Sequence, residues 1–299
     1  MTAEKLARLE AEGFGQGRYE CYRPWIRVRR SLSSPVSSQH VFEIPGHGRH
    51  AHLLSGLEQQ FALLAGWLGA LEVREQFPVH PRPARHPGYD PTFRYPVAGA
   101  AEMLPGIADI ARDAGIDPGI YPGTNLPFVL TTDLVLLSRD ANKYRLAYWP
   151  VKPSDELDGP NGSRRRERLE LEARHAALAG ADFRLMTDET VGRKFMENLQ
   201  DCKPWRGDVE QWSGDDRLYR FAEGFNSCRG AKLRDAWAAA GAFAGLEKSP
   251  FRRRLFNVAV WLGLLDVHLS KDLYPHLAVP WGGLAQRTKM RQRLLGVSE

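Results

Sequence analysis

Residues 131–153, TTDLVLLSRDANKYRLAYWPVKP, bring an acid and a lysine to a spacing at which the two could do chemistry together. Leu134 to Leu137 form a short apolar run, Ser138 to Lys143 supply turn residues, and Tyr144 to Val151 return as a second apolar and aromatic run. This pattern predicts a β-hairpin. Antiparallel pairing about the turn puts Asp133, entering the first strand, and Lys152, leaving the second, at one end of the hairpin. A carboxylate beside an ammonium at a sheet rim suits metal-dependent phosphodiester cleavage. Hard oxygen donors hold Mg²⁺, and the lysine orients the attacking water or offsets charge on the phosphate. The same two residues also describe an ordinary surface ion pair, so the neighbouring elements must decide between the readings.

Upstream, Leu57, Phe61, Leu64 and Leu68 recur every three to four residues, which predicts a helix with one buried face and Glu58 at its entrance. Ser55 followed by Glu58 is also a capping box, in which the glutamate serves its own helix. Both roles stay open for Glu58. LEVREQF (71–77) reads as the first sheet strand, with Arg74 and Glu75 as an ion pair at its edge. The proline-dense segment 78–99 reads as a loop, 100–114 as a short helix, 164–179 as a charged helix and ADFRLMTDE (181–189) as a last core strand.

These pieces resemble a family when taken in order. HLLSGLE (52–58), LEVREQFPVHP (71–81), LTTDLVLL (130–137), VKP (151–153) and LELEARHAALAGADFRLMTDE (169–189) are similar in order, spacing and wording to TnsA, the nuclease subunit of heteromeric cut-and-paste transposases. The resemblance implies an α/β fold with a restriction-endonuclease-like mixed-sheet core. It implies cleavage of double-stranded DNA at the 5′ ends of a transposon, with Mg²⁺ as cofactor and Mn²⁺ able to substitute. It further implies a DDE-type (TnsB-like) transposase subunit and an AAA+ (TnsC-like) regulator as partners. The family's helix acid falls on Glu58, its strand aspartate on Asp133 and its lysine on Lys152. Segment 22–30, YRPWIRVRR, leads into the acidic helix, so Arg23, Arg27, Arg29, Arg30 and His52 become candidate DNA contacts.

One position departs from the family. Where Glu, Asp or Gln is expected two residues before the lysine, this chain has Pro150, which offers neither a side-chain ligand nor an N–H. Metal would then rest on Glu58, Asp133, waters and the backbone carbonyl of Val151. His47, His50 and His52 lack acids or cysteines at ligand spacing and do not make a zinc motif.

Length, 299 residues, suits two domains, and the composition shifts near residue 187. Residues 188–299 read as helices near 190–201, 215–225, 230–244 and 250–263, followed by LLDVHLS and LYPHLAVPW as a terminal hairpin. Helices closed by a hairpin predict a winged-helix-like domain, and the TnsA family carries one. Apolar stretches of about ten residues are too short for a membrane span, the N-terminus lacks a signal-peptide core, and three scattered cysteines suit a reducing compartment, so a cytoplasmic protein is expected. A net charge of +5 allows an acidic partner, and SRRRER (163–168) and FRRR (251–254) add basic runs to that of 22–30.

Overall fold

The computed structural model describes residues 1–28, 38–92, 94–246 and 250–297. The predicted hairpin is the centre of the sheet. β6 (Leu130–Asp140) and β7 (Lys143–Trp149) pair antiparallel from Asp140↔Lys143 at the turn to Leu134↔Trp149. The tight turn places Ala141 in the left-handed region at φ 51°, and Arg139 Nε donates to its carbonyl at 3.0 Å.

Ahead of the hairpin run α1 (Ala3–Ala11), the antiparallel ribbon β1 (His40–Glu43) and β2 (His50–Leu53), α2 (Gly56–Trp67), β3 (Glu72–Val79), the two-residue strands β4 (Ala84–Arg85) and β5 (Met103–Leu104), and α3 (Ile107–Ala114). After it come α4 (Ser154–Asp158), α5 (Gly162–Leu178) and β8 (Asp182–Phe183). Among the described residues the main sheet has the order β3-β6-β7-β8, antiparallel except for the parallel β7–β8 pair. It is a mixed sheet with a helix on each face. Leu134, Leu136, Ala147, Trp149 and Val151 pack with Phe61 and Leu64 of α2, whereas Val135, Leu137, Leu146 and Tyr148 pack with Ala176 of α5.

That alternation slips by one residue at a single rung. Val73 and Phe77, four residues apart on β3, should share a face, yet Val73 packs on the α2 side and Phe77 on the α5 side. Thr132 and Leu134 on β6 separate in the same way, since Thr132 Oγ1 donates to Glu172 of α5 at 3.0 Å. The register on either side is unchanged, with Glu75↔Leu134 and Phe77↔Thr132. Between those pairs stands Gln76, at φ 47°, opposite Asp133.

Arg74 and Glu75 do not pair with each other. β3 is buried along its whole length, and Arg74 contacts Glu72 (3.6 Å) while Arg49 from the loop before β2 pairs with Glu75, Nη1 to Oε1 at 2.9 Å. A carboxylate with no exposed surface needs such a partner. Removing one member of a buried pair of this kind costs about 3–5 kcal/mol.

The remaining chain forms α6 (Arg193–Asp201), α7 (Asp208–Trp212), α8 (Asp216–Asn226), α9 (Leu233–Phe243), α10 (Arg252–Trp261) and α11 (Gly283–Leu295). The four predicted helices are α6, α8, α9 and α10. In place of the expected hairpin, the described residues carry the single bridges Val267↔Trp281 and Lys232↔Ala278. α11 follows, a helix to which the sequence reading assigned no element. No helix among the described residues is long and apolar enough to cross a membrane. Of the tryptophans in this half, Trp212 and Trp261 are buried, Trp237 and Trp281 half-buried, and Trp205 stands in solvent at 72 % exposure.

Residues on both sides of position 187 share one apolar core, running from Phe42 through Trp67 and Trp149 to Leu295 and Val297. Trp67 Nε1 donates to the Val260 carbonyl at 3.0 Å, Trp149 Nε1 to that of Leu294 at 3.2 Å, and Arg287 and Arg291 of α11 bond the Trp67 and Leu68 carbonyls at the end of α2. Residues 1–187 expressed alone are therefore expected to aggregate or to bind a hydrophobic dye such as ANS, with adding back 188–299 restoring a cooperative thermal transition. A soluble 1–187 fragment with a sharp transition of its own would show that this shared core is dispensable.

Candidate active site

Asp133 and Lys152 meet because β6 and β7 separate at Pro150. The last β6–β7 pair is Leu134↔Trp149, and beyond it the chain pairs on the other side only. There Pro150 O accepts from Met186 N at 2.9 Å, and Lys152 N donates to Met186 O at 3.0 Å. N–H and C=O of one strand residue point the same way, so those of Val151, between these two, face β6. The Val151 N–H donates to Asp133 Oδ2 at 2.7 Å, and Lys152 Nζ donates to the same oxygen at 2.6 Å. The Val151 carbonyl is turned to this side as well. Burial disfavours the Lys152 charge, but Asp133, Glu172 and Glu58 more than offset it and raise its pKa. Lys152 is thus a fixed cation, and its 28 % side-chain exposure leaves it within reach of a ligand.

Glu58 plays the cap and faces the site at once. Ser55 Oγ accepts from Glu58 N at 3.1 Å, and the Glu58 carboxylate returns to Leu54 N at 2.9 Å and Ser55 Oγ at 3.2 Å. This is a capping box with its return bond shifted by one residue, from the N-cap Ser55 to Leu54. Burial, followed by the charge of Asp133, pushes the Glu58 carboxyl up to about 7. Gln76 Nε2 also donates to Glu58 Oε2, at 3.1 Å.

A third acid, absent from the sequence reading, joins them. Glu172 of α5 is buried and accepts from Thr132 Oγ1. Its carboxyl is pushed up to about 8, first by burial and then by Asp133, against the opposing pull of Lys152. The signal lies in LELEARHAA: Leu169, Glu172 and Ala176 form an i, i+3, i+7 stripe of buried positions, and a carboxylate in such a stripe needs a reason. Tyr148 and Lys152 both interact with α5, through His175 and Glu172. Glu172 therefore brings a carboxylate to the face on which a side chain at position 150 would present its own.

The candidate DNA contacts are spread out. Arg23 is exposed and bonds the Glu12 carbonyl at 2.6 Å, Arg27 lies over the Phe14 ring at 4.7 Å, and Arg29 and Arg30 fall outside the described residues. His52 is half-buried on β2, its backbone N–H donating to Glu75 Oε1 at 3.0 Å. The other two basic runs are largely engaged within the chain. Arg164 pairs with Glu167, Arg165 with Glu156 and Arg166 with Asp158, while Arg254 holds the buried Asp208 carboxylate.

Known sequences resemble part of this chain. Residues 105–188, which contain Asp133, Lys152 and Glu172, match the family described as TnsA-like endonuclease N terminal. Over 197 residues the chain is 30 % identical to the Transposon Tn7 transposition protein TnsA of Escherichia coli, a match covering 66 % of this chain and 61 % of that protein. Over these residues the chain is TnsA-like.

In this TnsA-like site the donor chemistry fits a hard divalent cation. Glu58, Asp133 and Glu172 share one ammonium, and the carboxyls of Glu58 and Glu172 are raised chiefly by burial, with the charge of Asp133 adding to it. Both hydrogen bonds to the Asp133 carboxylate fall on Oδ2. Among the described residues no three acid, histidine or cysteine side chains stand close enough to hold a metal by themselves. A cation here would need the Val151 carbonyl and water, as Mg²⁺ commonly does.

The two raised carboxyls make a pH prediction for the metal-free protein. Folded, Glu58 and Glu172 hold protons more tightly than their ordinary 4.5, so the stability they contribute is fully present below about 4.5 and lost as pH rises through about 7 to 8. In EDTA the melting temperature should fall between pH 6 and pH 8.5, and Glu172→Gln should flatten that fall. Parallel curves for the variant and the parent would remove Glu172 from the account.

Proposed function

We propose that this TnsA-like chain is the endonuclease subunit of a heteromeric transposase, a metal-dependent enzyme that cuts double-stranded DNA at the 5′ ends of a transposon. The observation that carries this reading is the Lys152–Asp133 contact beside Glu58, at the divergent end of a hairpin in a chain similar to TnsA. Glu58, Asp133 and the Val151 carbonyl would hold Mg²⁺, or Mn²⁺ in its place. Bound there, the cation would supply Lewis-acid stabilisation of the scissile phosphate and a more acidic water. Lys152, kept charged by its neighbours, does not take a proton. It donates to the attacking water or to a phosphate oxygen, where its charge offsets the negative charge that builds up as the phosphodiester is attacked. The ribbon β1–β2 and the segment before it, with Arg23, Arg27, Arg29, Arg30 and His52, lie against the DNA backbone. A TnsB-like DDE transposase and a TnsC-like AAA+ regulator complete the assembly.

A second reading has Pro150 in its favour. With no ligand from that side chain, the chain would bind ends and partners as an adaptor and cut weakly.

A nicking assay on a transposon-end duplex, with and without the partner transposase subunit, separates the two readings. Asp133 also accepts the Val151 N–H and the Lys152 ammonium, so Asp133→Asn is a cleaner probe than alanine. It should abolish 5′-end nicking, a loss of at least about a hundredfold, with DNA binding retained. Lys152→Ala should keep most metal binding and lose about a hundredfold in turnover. Nicking that survives Asp133→Asn would remove the hydrolytic site from this position, and a parent protein that binds ends without nicking them would favour the adaptor.

A further inference from the structure

We infer that Gln76 is a positioning residue of the endonuclease site, fixing the Glu58 carboxylate from β3 and turning the sheet so that Glu58 and Glu172 reach Asp133 from opposite faces. This rests on the endonuclease reading above.

Four observations carry it. Gln76 lies inside a strand that is otherwise in register on both sides, yet its φ is 47°, a conformation that non-glycine residues adopt at a cost and that collects at functional sites. The tip of a tight turn explains the same conformation at Ala141. No turn explains it at Gln76. The backbone there leaves the ladder, and the Gln76 carbonyl accepts from Trp25 N at 3.2 Å. The buried amide then reaches Glu58 Oε2 at 3.1 Å and accepts from Thr131 Oγ1 at 3.4 Å.

The slip of the side-chain alternation occurs at this rung. In an unbroken ladder Thr132 would share a face with Leu134 and Leu136 and point toward α2. Instead it bonds Glu172 on the α5 side, one residue from Asp133, while Gln76 addresses Glu58 on the α2 side. Helices on opposite faces of the sheet thereby each bring an acid to this rung, near enough to Asp133 for the charges to interact. The ladder hydrogen bonding lost at Gln76 has this arrangement as its structural return.

Gln76→Gly and Gln76→Asn test the inference, because glycine relieves the left-handed backbone and asparagine tolerates it, while neither side chain reaches Glu58 as glutamine does. Both variants are expected to keep a cooperative thermal transition in EDTA. They should weaken Mn²⁺ binding, read by titration calorimetry, by about tenfold or more, and slow nicking by a similar factor that appears in kcat and is not recovered at high DNA concentration. Ala141→Gly, which relieves the same conformation away from the site, should melt no lower and nick like the parent. The inference is overturned if either folded variant binds Mn²⁺ and nicks within twofold of the parent, or if neither variant folds, since Gln76 would then belong to the fold alone. Failure of the endonuclease reading is distinguishable, because then either the parent itself would not nick or Asp133→Asn would nick as well.

Discussion

One ammonium faces three buried carboxylates, and the surroundings of the site answer to that imbalance. Burial alone would favour neutral acids. Each is held against it by something specific: Asp133 by the Val151 N–H and Lys152, Glu58 by the capping box at the start of α2, and Glu172 by Thr132. The start of α2 also lends Glu58 the positive end of a helix dipole. Burial still outweighs these devices at Glu58 and Glu172, whose carboxyls are raised. A cation placed here would favour the ionised form of both acids, and the site's own lysine supplies only one positive charge.

Much of this was legible in the sequence. The hairpin could be read because apolar runs flanking turn residues admit few alternatives, and its antiparallel pairing then dictates that Asp133 and Lys152 share an end. The capping box at Ser55 and Glu58 was equally local. Glu172 does not stand out in the sequence because its neighbours Glu170 and Arg174 make an ordinary solvent-facing pair, 2.7 Å apart, and the whole segment reads as a charged helix. Gln76 could not be found by periodicity, since the periodicity is what it breaks. The basic runs misled for a related reason. Arg164, Arg165 and Arg166 look like a phosphate-binding strip until the acids near them in space, Glu156, Asp158 and Glu167, are counted.

Residues 188–299 were read as a unit because their composition changes, yet composition says nothing about which surface a helix covers. α11 illustrates the point. Its sequence, GLAQRTKMRQRLL, looks solvated, but Met290, Leu294 and Leu295 are buried while Arg287 and Arg291 bond the carbonyls that end α2. The helix carrying Glu58 is thus completed at its C-terminal end by side chains more than two hundred residues later in the chain. The Arg206–Glu43 pair, at 3.2 Å, makes a second link between this half and the β1–β2 ribbon.

Pro150 gives β7 two unequal sides. Toward β6 the strand is stitched down over its length and finished by the Asp133 carboxylate. Toward the 182–186 segment, the rung that an ordinary residue would send to the Arg184 carbonyl is missing, between the rungs at Tyr148 and Pro150. A seam with a stitch left out parts more readily than its neighbour. If the sheet opens anywhere it does so along that line, and the cleft would then run between the strand bearing Lys152 and the segment that leads to α6. Asp133, Val151 and Lys152 would stay together as it widened, held by the Val151 N–H and the Lys152 ammonium on Asp133, while Lys152 gave up its backbone bond to Met186.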